Sequence, residues 1–303
     1  MTHTVHGLVP ILTTPFAPDG SLDRRSLRTL VEFELASGVD GVAVFGMASE
    51  GFALTAAERQ VVLRDVVDVV GGAVPVVAGV NGTSTVTALE QAREAASEGA
   101  RALMVLPPFM VKPGPDQLVE FYRELGEYAA GAGVEVMVQD APGVTGVAMS
   151  PSLIVELSKL AGVTSVKIEA PPTTPKVGAV LSGLDEDFAV LGGQNAQFAL
   201  DEYARGAVGT MPACEFSDLL APILADWNAG RRAEARAAFS LLLPLILHGL
   251  QSGIAWAIHK EVLVRRGIIE HSAVRSPARP LDAGSRALLA DILVPLDLPH
   301  FSR

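Results

Sequence analysis

Several scarcities narrow what this chain of 303 residues can be. It has one cysteine, Cys214, which excludes an intramolecular disulfide and a cysteine-built zinc cage and suits a reducing compartment. Basic residues are the minority: 23 Lys and Arg against 34 Asp and Glu, for a net charge of -11. With no run of Lys or Arg, the chain lacks the basic patch that nucleic acid or an anionic lipid surface requires, although a small anionic substrate fits wherever the local field is positive. Long hydrophobic runs are missing as well, despite 49% hydrophobic residues and a mean hydropathy of +0.36. The longest apolar stretch, residues 237–250, is interrupted by Ser240, Pro244 and His248 and falls short of the roughly 20 residues that cross a bilayer. It reads as a buried or subunit-interface helix. The N-terminal stretch carries no cationic segment, and Pro10, Thr13, Thr14 and Pro15 break any signal-peptide core, so a cytoplasmic location is expected.

What is present is an alternation of short apolar runs with longer amphipathic ones. Strands are expected at residues 8–13, 41–46, 75–80, 102–106, 135–140, 163–169, 188–192 and 207–211, with helices between them such as 25–37, 56–70, 85–98, 116–130, 151–160 and 196–205. Thr55 and Glu58 have capping-box spacing, and Ser150 precedes Pro151 as an N-cap precedes a first-turn proline. Gly38, Gly99, Gly162 and Gly206 fall where helices end. Strand then helix, repeated about eight times, predicts an α/β fold of the (β/α)8 TIM-barrel type. An open doubly wound sheet would favour a Gly-x-Gly-x-x-Gly turn after the first strand, and the residues there are Thr14-Pro15-Phe16-Ala17-Pro18-Asp19-Gly20 instead. From residue 216 the pattern becomes purely helical, at 216–228, 231–250, 252–266 and 283–292. The expected division is a barrel over 1–229 and a C-terminal helical extension over 230–303.

A barrel carries its chemistry at the carboxyl ends of its strands. Those ends hold Thr13-Thr14, Met47 to Glu50, Asn81, Pro107 to Met110, Gln139-Asp140, Lys167 with Glu169, Gly193 to Asn195, and Thr210 to Pro212. No histidine is among them, since His3, His6, His248, His259, His271 and His300 lie near the chain ends or in the helical tail, which argues against a histidine base or a histidine-ligated metal. The residue that stands out is Lys167, inside a β-branched run. Side chains alternate along a strand, so Ser165, Lys167 and Glu169 share one face while Thr164, Val166 and Ile168 share the other. A partly desolvated lysine is a nucleophile toward carbonyls. It is equally one half of a buried ion pair with Glu169 or Asp140, and position alone leaves both readings open.

A wider pattern joins these positions. Gly46-x-x-x-Glu50 follows the second strand, Pro107-Pro-Phe-Met-Val-Lys-Pro113 the fourth and Asp140-Ala-Pro-Gly-Val-Thr-Gly146 the fifth, and Val166-Lys-x-Glu169 ends the sixth. With Thr14-Pro-Phe16, Val274-Arg-Ser-Pro277 and Pro280-Leu281, the chain resembles the dihydrodipicolinate synthase and N-acetylneuraminate lyase family over essentially its whole length. The resemblance implies a class I mechanism in which the family's barrel lysine, matched by Lys167, forms a Schiff base with pyruvate or another 2-oxo acid, with no metal or organic cofactor. It also implies homodimers or homotetramers.

The departures from the family pattern matter as much. The family's carboxylate-holding Gly-Thr-Thr-Gly-Glu loop is Gly46-Met47-Ala48-Ser49-Glu50 here, leaving Ala48 and Ser49 as the expected carboxylate cradle. The proton-relay tyrosine of strand five aligns with Gln139, which cannot titrate. The tyrosine pair after strand four is Phe109 and Met110, and the arginine for a second carboxylate aligns with Val144. An ordinary dihydrodipicolinate synthase is therefore not expected. Glu169 and Asp140 are the remaining acid-base candidates beside Lys167 and Gln139, and Gly193 and Met211 join Ala48 and Ser49 as expected substrate contacts. With Met47, Phe109, Met110 and Met211 the pocket should be less polar than that of a sugar-acid lyase, unless Phe109 and Met110 pack at a subunit contact. Three readings follow: a Schiff-base lyase or aldolase, including a dehydratase variant; a non-catalytic ligand-binding or subunit-pairing homologue; and a metal-assisted enzyme in which Glu50, Asp140 and Glu169 hold a hard cation and Lys167 is a general base.

Overall fold

The computed structural model describes residues 3–184 and 187–301. Met1 and Thr2 of the N-terminal stretch and Ser302 and Arg303 of the tail, and with them the outer limits of the expected division, lie outside the described residues. Eight strands appear in chain order: β1 (Gly7–Leu8), β2 (Val42–Val44), β3 (Val76–Val80), β4 (Ala102–Val105), β5 (Glu135–Asp140), β6 (Val163–Ile168), β7 (Ala189–Gly192) and β8 (Gly209–Thr210). All pair in parallel in the order β1-β8-β7-β6-β5-β4-β3-β2. Ile11 bridges to both Ala43 and Ala213 and so joins the two ends of the sheet. This is the (β/α)8 barrel the alternation predicts. The first and last strands are shorter than expected because Pro10 and Pro212 have no N–H to give to a ladder; their carbonyls still accept, from Ala43 at 2.9 Å and from Ile11 at 2.7 Å.

Parallel strands buried on both faces need two separate apolar sets. Ala43, Val77, Met104, Met137, Leu191 and Met211 fill the barrel interior, while Val44, Val80, Val105, Val138, Ile168 and Val190 face the helices. At roughly 1.5–3 kcal/mol for each large apolar side chain removed from water, these two layers are the main force holding the sheet closed. One close approach needs a glycine: a Cβ on Gly79 would lie 2.5 Å from the Phe45 carbonyl. Phe45 itself has φ +63°, and Arg59 holds it there, with its guanidinium 4.0 Å from the ring and a 2.7 Å bond to the Gly79 carbonyl.

Around the sheet run α1 (Arg24–Ala36), α2 (Ala56–Val70), α3 (Thr85–Ser97), α4 (Pro115–Ala132), α5 (Pro142–Thr145), α6 (Pro151–Leu157), α7 (Thr173–Leu181), α8 (Ala199–Ala204) and α9 (Ser217–Asn228). The Thr55–Glu58 capping box is formed, Ser150 accepts from the Leu153 N–H, and Gly38, Gly99, Gly162 and Gly206 all take positive φ after helix ends. Helix α7 has no counterpart among the helical patterns named above, because Pro175 and Gly178 weaken its sequence signal.

Three more helices follow: α10 (Arg232–His248), α11 (Ala255–Arg265) and α12 (Ala283–Leu293). Helix α10 buries Ala235, Phe239, Leu242, Leu245 and Ile246 and leaves Leu241 and Leu247 exposed, so the long apolar stretch is a half-buried surface helix. Among the described residues no helix is long and apolar enough to cross a membrane. Helix α11 turns back over the carboxyl end of the barrel. Trp256, His259 and Lys260 are spaced i, i+3, i+4 and share one helical face, and Trp256 Nε1 donates to the Met47 carbonyl in the loop after β2.

Candidate active site

At the carboxyl end of the barrel lies a cavity of about 450 Å³, within the range of small-molecule sites. Lys167 enters it from the inward face of β6, and 3% of the residue is exposed. Its Nζ lies 3.2 Å from Glu169 Oε1. The alternation argument holds: Gln139 on β5 pairs in register with Lys167, and its Nε2 donates to the second Glu169 oxygen, Oε2, at 2.7 Å. Lysine, glutamate and glutamine thus form one hydrogen-bonded unit at the mouth. Gln139 itself faces a neighbouring hollow of about 230 Å³ that Met47, Phe109 and Val144 also line.

Gly193 serves this unit from behind. A Cβ there would sit 2.4 Å from Glu169 Cγ, so the glycine makes room for the carboxylate, and it is absent from the cavity wall. The next three residues, Gln194, Asn195 and Ala196, have φ of +47°, +55° and +61°, sparsely populated values for non-glycine residues. This left-handed turn brings Gln194 and Asn195 into the cavity wall, with the Gln194 side chain bonded to the Glu169 carbonyl. Asn195 is locked by an acceptor bond from the Ala213 N–H at 2.9 Å and a donor bond to the Ile246 carbonyl at 3.0 Å.

The loop after β2 divides differently from expectation. Met47 and Ala48 line the cavity, as does Met211 from the end of β8. Ser49 does not: it is buried, its N–H is bonded to the Gly46 carbonyl at 3.1 Å, and its own carbonyl accepts from Thr14 Oγ1 at 2.6 Å. The expected Ala48–Ser49 cradle is reduced to Ala48. Phe109 and Met110 are both exposed, at 37% and 77%, though Phe109 still lines the neighbouring hollow.

Two further expectations are corrected. Asp140 does not join Lys167. It lies on the outward face of β5, where its Oδ2 pairs with Lys176 of α7 at 2.6 Å, and burial raises its pKa despite that lysine. Glu50, in a left-handed conformation at φ +53°, turns away from the cavity into a fully buried pair with Lys260, while the Arg275 N–H donates to its other oxygen at 3.0 Å. The cation cage of Glu50, Asp140 and Glu169 therefore does not assemble, because each carboxylate is taken by a different lysine. Among the described residues no three His, Cys, Asp or Glu side chains are grouped to hold a metal ion.

Sequence reasoning missed what the tail adds. Trp256 and His259 of α11 line the same cavity as Lys167, so excluding all six histidines by chain position is wrong for His259. Its Nδ1 is 2.7 Å from Glu215 Oε1, just beyond β8. A signal was available in Trp256-Ala-Ile-His-Lys-Glu261, where polar side chains fall on a helical face that a surface helix would keep apolar.

The dihydrodipicolinate synthetase family profile matches residues 4–295. The chain is 33% identical over 297 residues to L-2-keto-3-deoxyarabonate dehydratase of Azospirillum brasilense, covering 96% of this chain and 94% of that protein. It is 32% identical over 285 residues to 4-hydroxy-tetrahydrodipicolinate synthase of Saccharophagus degradans, covering 92% and 94%. Among solved structures, dihydrodipicolinate synthase from Rhodopseudomonas palustris superposes with a TM-score of 0.89 at 28% identity, covering 97% of this chain and 98% of that one. A lysine on the sixth strand of a closed barrel, in a cavity at the strands' carboxyl ends, is consistent with all three likenesses, and the chain belongs to the dihydrodipicolinate synthetase family of pyruvate-dependent class I lyases.

Proposed function

We propose that Lys167 is the imine-forming nucleophile and that the substrate is a 2-oxo acid carrying a hydroxyl at C4. The observation that carries this reading is the 3.2 Å contact of Lys167 Nζ with Glu169 inside the cavity. A lysine held there by one carboxylate is desolvated, oriented and within reach of a ligand. Its attack on C2, followed by loss of the carbonyl oxygen as water, gives a protonated imine that drains electron density from C3. Glu169, fixed by Gln139 on the far oxygen, then stands beside C3 as the proton acceptor, the role that a glutamine alone cannot fill. The N–H of Ala48 and the apolar wall of Met47 and Met211 frame the substrate's carboxylate end.

Loss of the C3 proton followed by departure of the C4 hydroxyl is a dehydration, and the named relative removes water from a 2-keto-3-deoxy acid. The absence of a tyrosine at Gln139 and of an arginine at Val144 supports this over the synthase reaction. In chain order the proposed division remains 1–229 and 230–303, with α11 of the extension completing the cavity. The exposed Leu241 and Leu247 of α10, and Met110 with Val111, support self-association as a dimer or tetramer.

Borohydride reduction in the presence of pyruvate and of a 4-hydroxy-2-oxo acid, read by mass spectrometry, tests the reading. A reduced adduct on Lys167 with both acids, and loss of water from the second without reductant, is expected. No adduct on Lys167 with either acid would end it.

A further inference from the structure

The cavity has a second titratable end. Besides Lys167 and Glu169, its wall includes Asn195, Gly249, Trp256 and His259. The imidazole is held from three sides. Glu215 Oε1 takes its Nδ1 at 2.7 Å. Gly249 lies so close that a Cβ there would be 2.8 Å from His259 Cε1 and 3.0 Å from Asn195 Nδ2. Helix α11 is stapled on either side of it by Trp256 on the Met47 carbonyl and Lys260 on Glu50. Because a carboxylate accepts, Nδ1 carries the ring proton and Nε2 is the atom left for a ligand. Among the described residues Nε2 makes no hydrogen bond. A base oriented by a carboxylate and facing the cavity of a nucleophile is the arrangement of acid-base catalysis.

We propose that His259, oriented by Glu215, is the acid-base residue for the oxygen on C4 of the substrate, a further catalytic residue for the reaction proposed above, on which this inference rests. The chemistry divides between the two ends of the cavity. At the β6 end Glu169 takes the proton from C3 of the imine, and the C3–H electron pair becomes the C2–C3 double bond of an enamine. That pair then forms the C3–C4 double bond as the C4–O bond breaks with its electrons on oxygen, and the protonated imine is restored. His259, which has taken a proton from solvent on Nε2 before this step, gives that proton to the departing oxygen, and the oxygen leaves as water. Glu169 now holds one proton and neutral His259 lacks one, so a transfer through solvent resets both, and hydrolysis of the imine frees Lys167 and the unsaturated 2-oxo acid. The position of the histidine also sets specificity: a 2-oxo acid with no oxygen at C4 forms the imine and exchanges its C3 protons, and goes no further.

The test uses the full-length protein and two substitutions, His259→Asn, which keeps a donor for Glu215, and His259→Gln, which keeps a polar group nearer Nε2. Three readouts are compared: dehydration of a 4-hydroxy-2-oxo acid, deuterium exchange at C3 of pyruvate, and borohydride trapping on Lys167. Dehydration should fall by about 10²- to 10³-fold in both variants, the range of general acid-base catalysis, with exchange and trapping within about threefold of the parent protein. Dehydration unchanged in either variant overturns the proposal. So does loss of exchange and trapping together with dehydration in both, because His259 would then only be holding the mouth of the barrel together. Absence of trapping in the parent protein points instead to failure of the Lys167 reading.

Discussion

Two lysine–glutamate pairs sit around the barrel mouth, and they differ in burial and in what else surrounds them. Lys260 and Glu50 are both fully buried. The lysine also donates to the Ala273 carbonyl at 2.8 Å and lies 4.2 Å from the Phe16 ring centroid, while Arg275 satisfies the second oxygen of Glu50. Lys167 has one carboxylate at 3.2 Å and an open cavity beside it. Burial pulls the pKa of Lys260 down to about 8 even with Glu50 alongside, and a lowered lysine pKa is a common mark of an active site. Chosen by that mark alone, the nucleophile would be Lys260, which no ligand can reach. On the proposed reading, access to the cavity and spare bonding capacity are what set Lys167 apart from Lys260.

Replacing each lysine by methionine gives the sharpest contrast. Lys167→Met should lower turnover by about 10³-fold or more and abolish the borohydride adduct, since no other group supplies the amine, with its denaturation midpoint close to the parent's. Lys260→Met should do the reverse. It strands Glu50 without its cation, and breaking a buried pair from one side costs about 3–5 kcal/mol, seen as a lower urea midpoint, while the folded fraction still traps pyruvate on Lys167. A folded Lys260→Met protein that no longer traps pyruvate would break the comparison.

Much of this architecture is legible in the sequence because local signals and tertiary packing agree. Strands β2 to β7 fall inside the expected runs, and the capping box at Thr55 and the proline at 151 place their helices to within a residue at the N-terminal end. Lys167 shows itself by being out of place in a β-branched strand, and the period-2 alternation puts Glu169 with it, while Gln139 enters only through the family resemblance. Other features depend on information no local window holds. Glu50 turns outward through a left-handed φ that a motif does not encode. Asp140 meets Lys176 on a helix whose proline and glycine hid it. His259 lies more than ninety residues beyond Lys167 in the chain and reaches the cavity only because α11 folds back across the mouth.

A third glutamate shows what burial does with no lysine at hand. Glu202 of α8 fills the space beside Gly192, where a Cβ would fall 1.8 Å from Oε2, and its other oxygen accepts from Thr173 Oγ1 at 2.6 Å. Desolvation lifts its pKa from 4.5 to about 7, against the opposing hydrogen bond from Thr173. The folded protein therefore holds this proton over a range where the unfolded chain has released it. The stability it contributes is complete below about pH 4.5 and is lost as the pH rises through about 7. The loss is on the order of 3 kcal/mol for a shift of this size. Glu202→Gln imitates the protonated acid, so urea midpoints measured from pH 5 to 8 should decline less steeply in the variant than in the parent. Equal slopes would show that Glu202 titrates alike in both states.

The smallest effect concerns the contact that fixes the second oxygen of Glu169. Gln139 Nε2 donates to Glu169 Oε2 at 2.7 Å, which leaves Oε1 to face the lysine and keeps the carboxylate plane fixed across the mouth. Hydrogen bonds to charged groups contribute about 1.5–3 kcal/mol, and only the part that differs between bound substrate and transition state appears in the rate. Gln139→Leu should therefore reduce kcat for dehydration about tenfold. Trapping on Lys167 should persist, because the amine and its cavity are untouched. A fall in trapping equal to the fall in kcat would mean that Gln139 acts on the lysine, and that the carboxylate's orientation is set by Gly193 and the left-handed turn behind it.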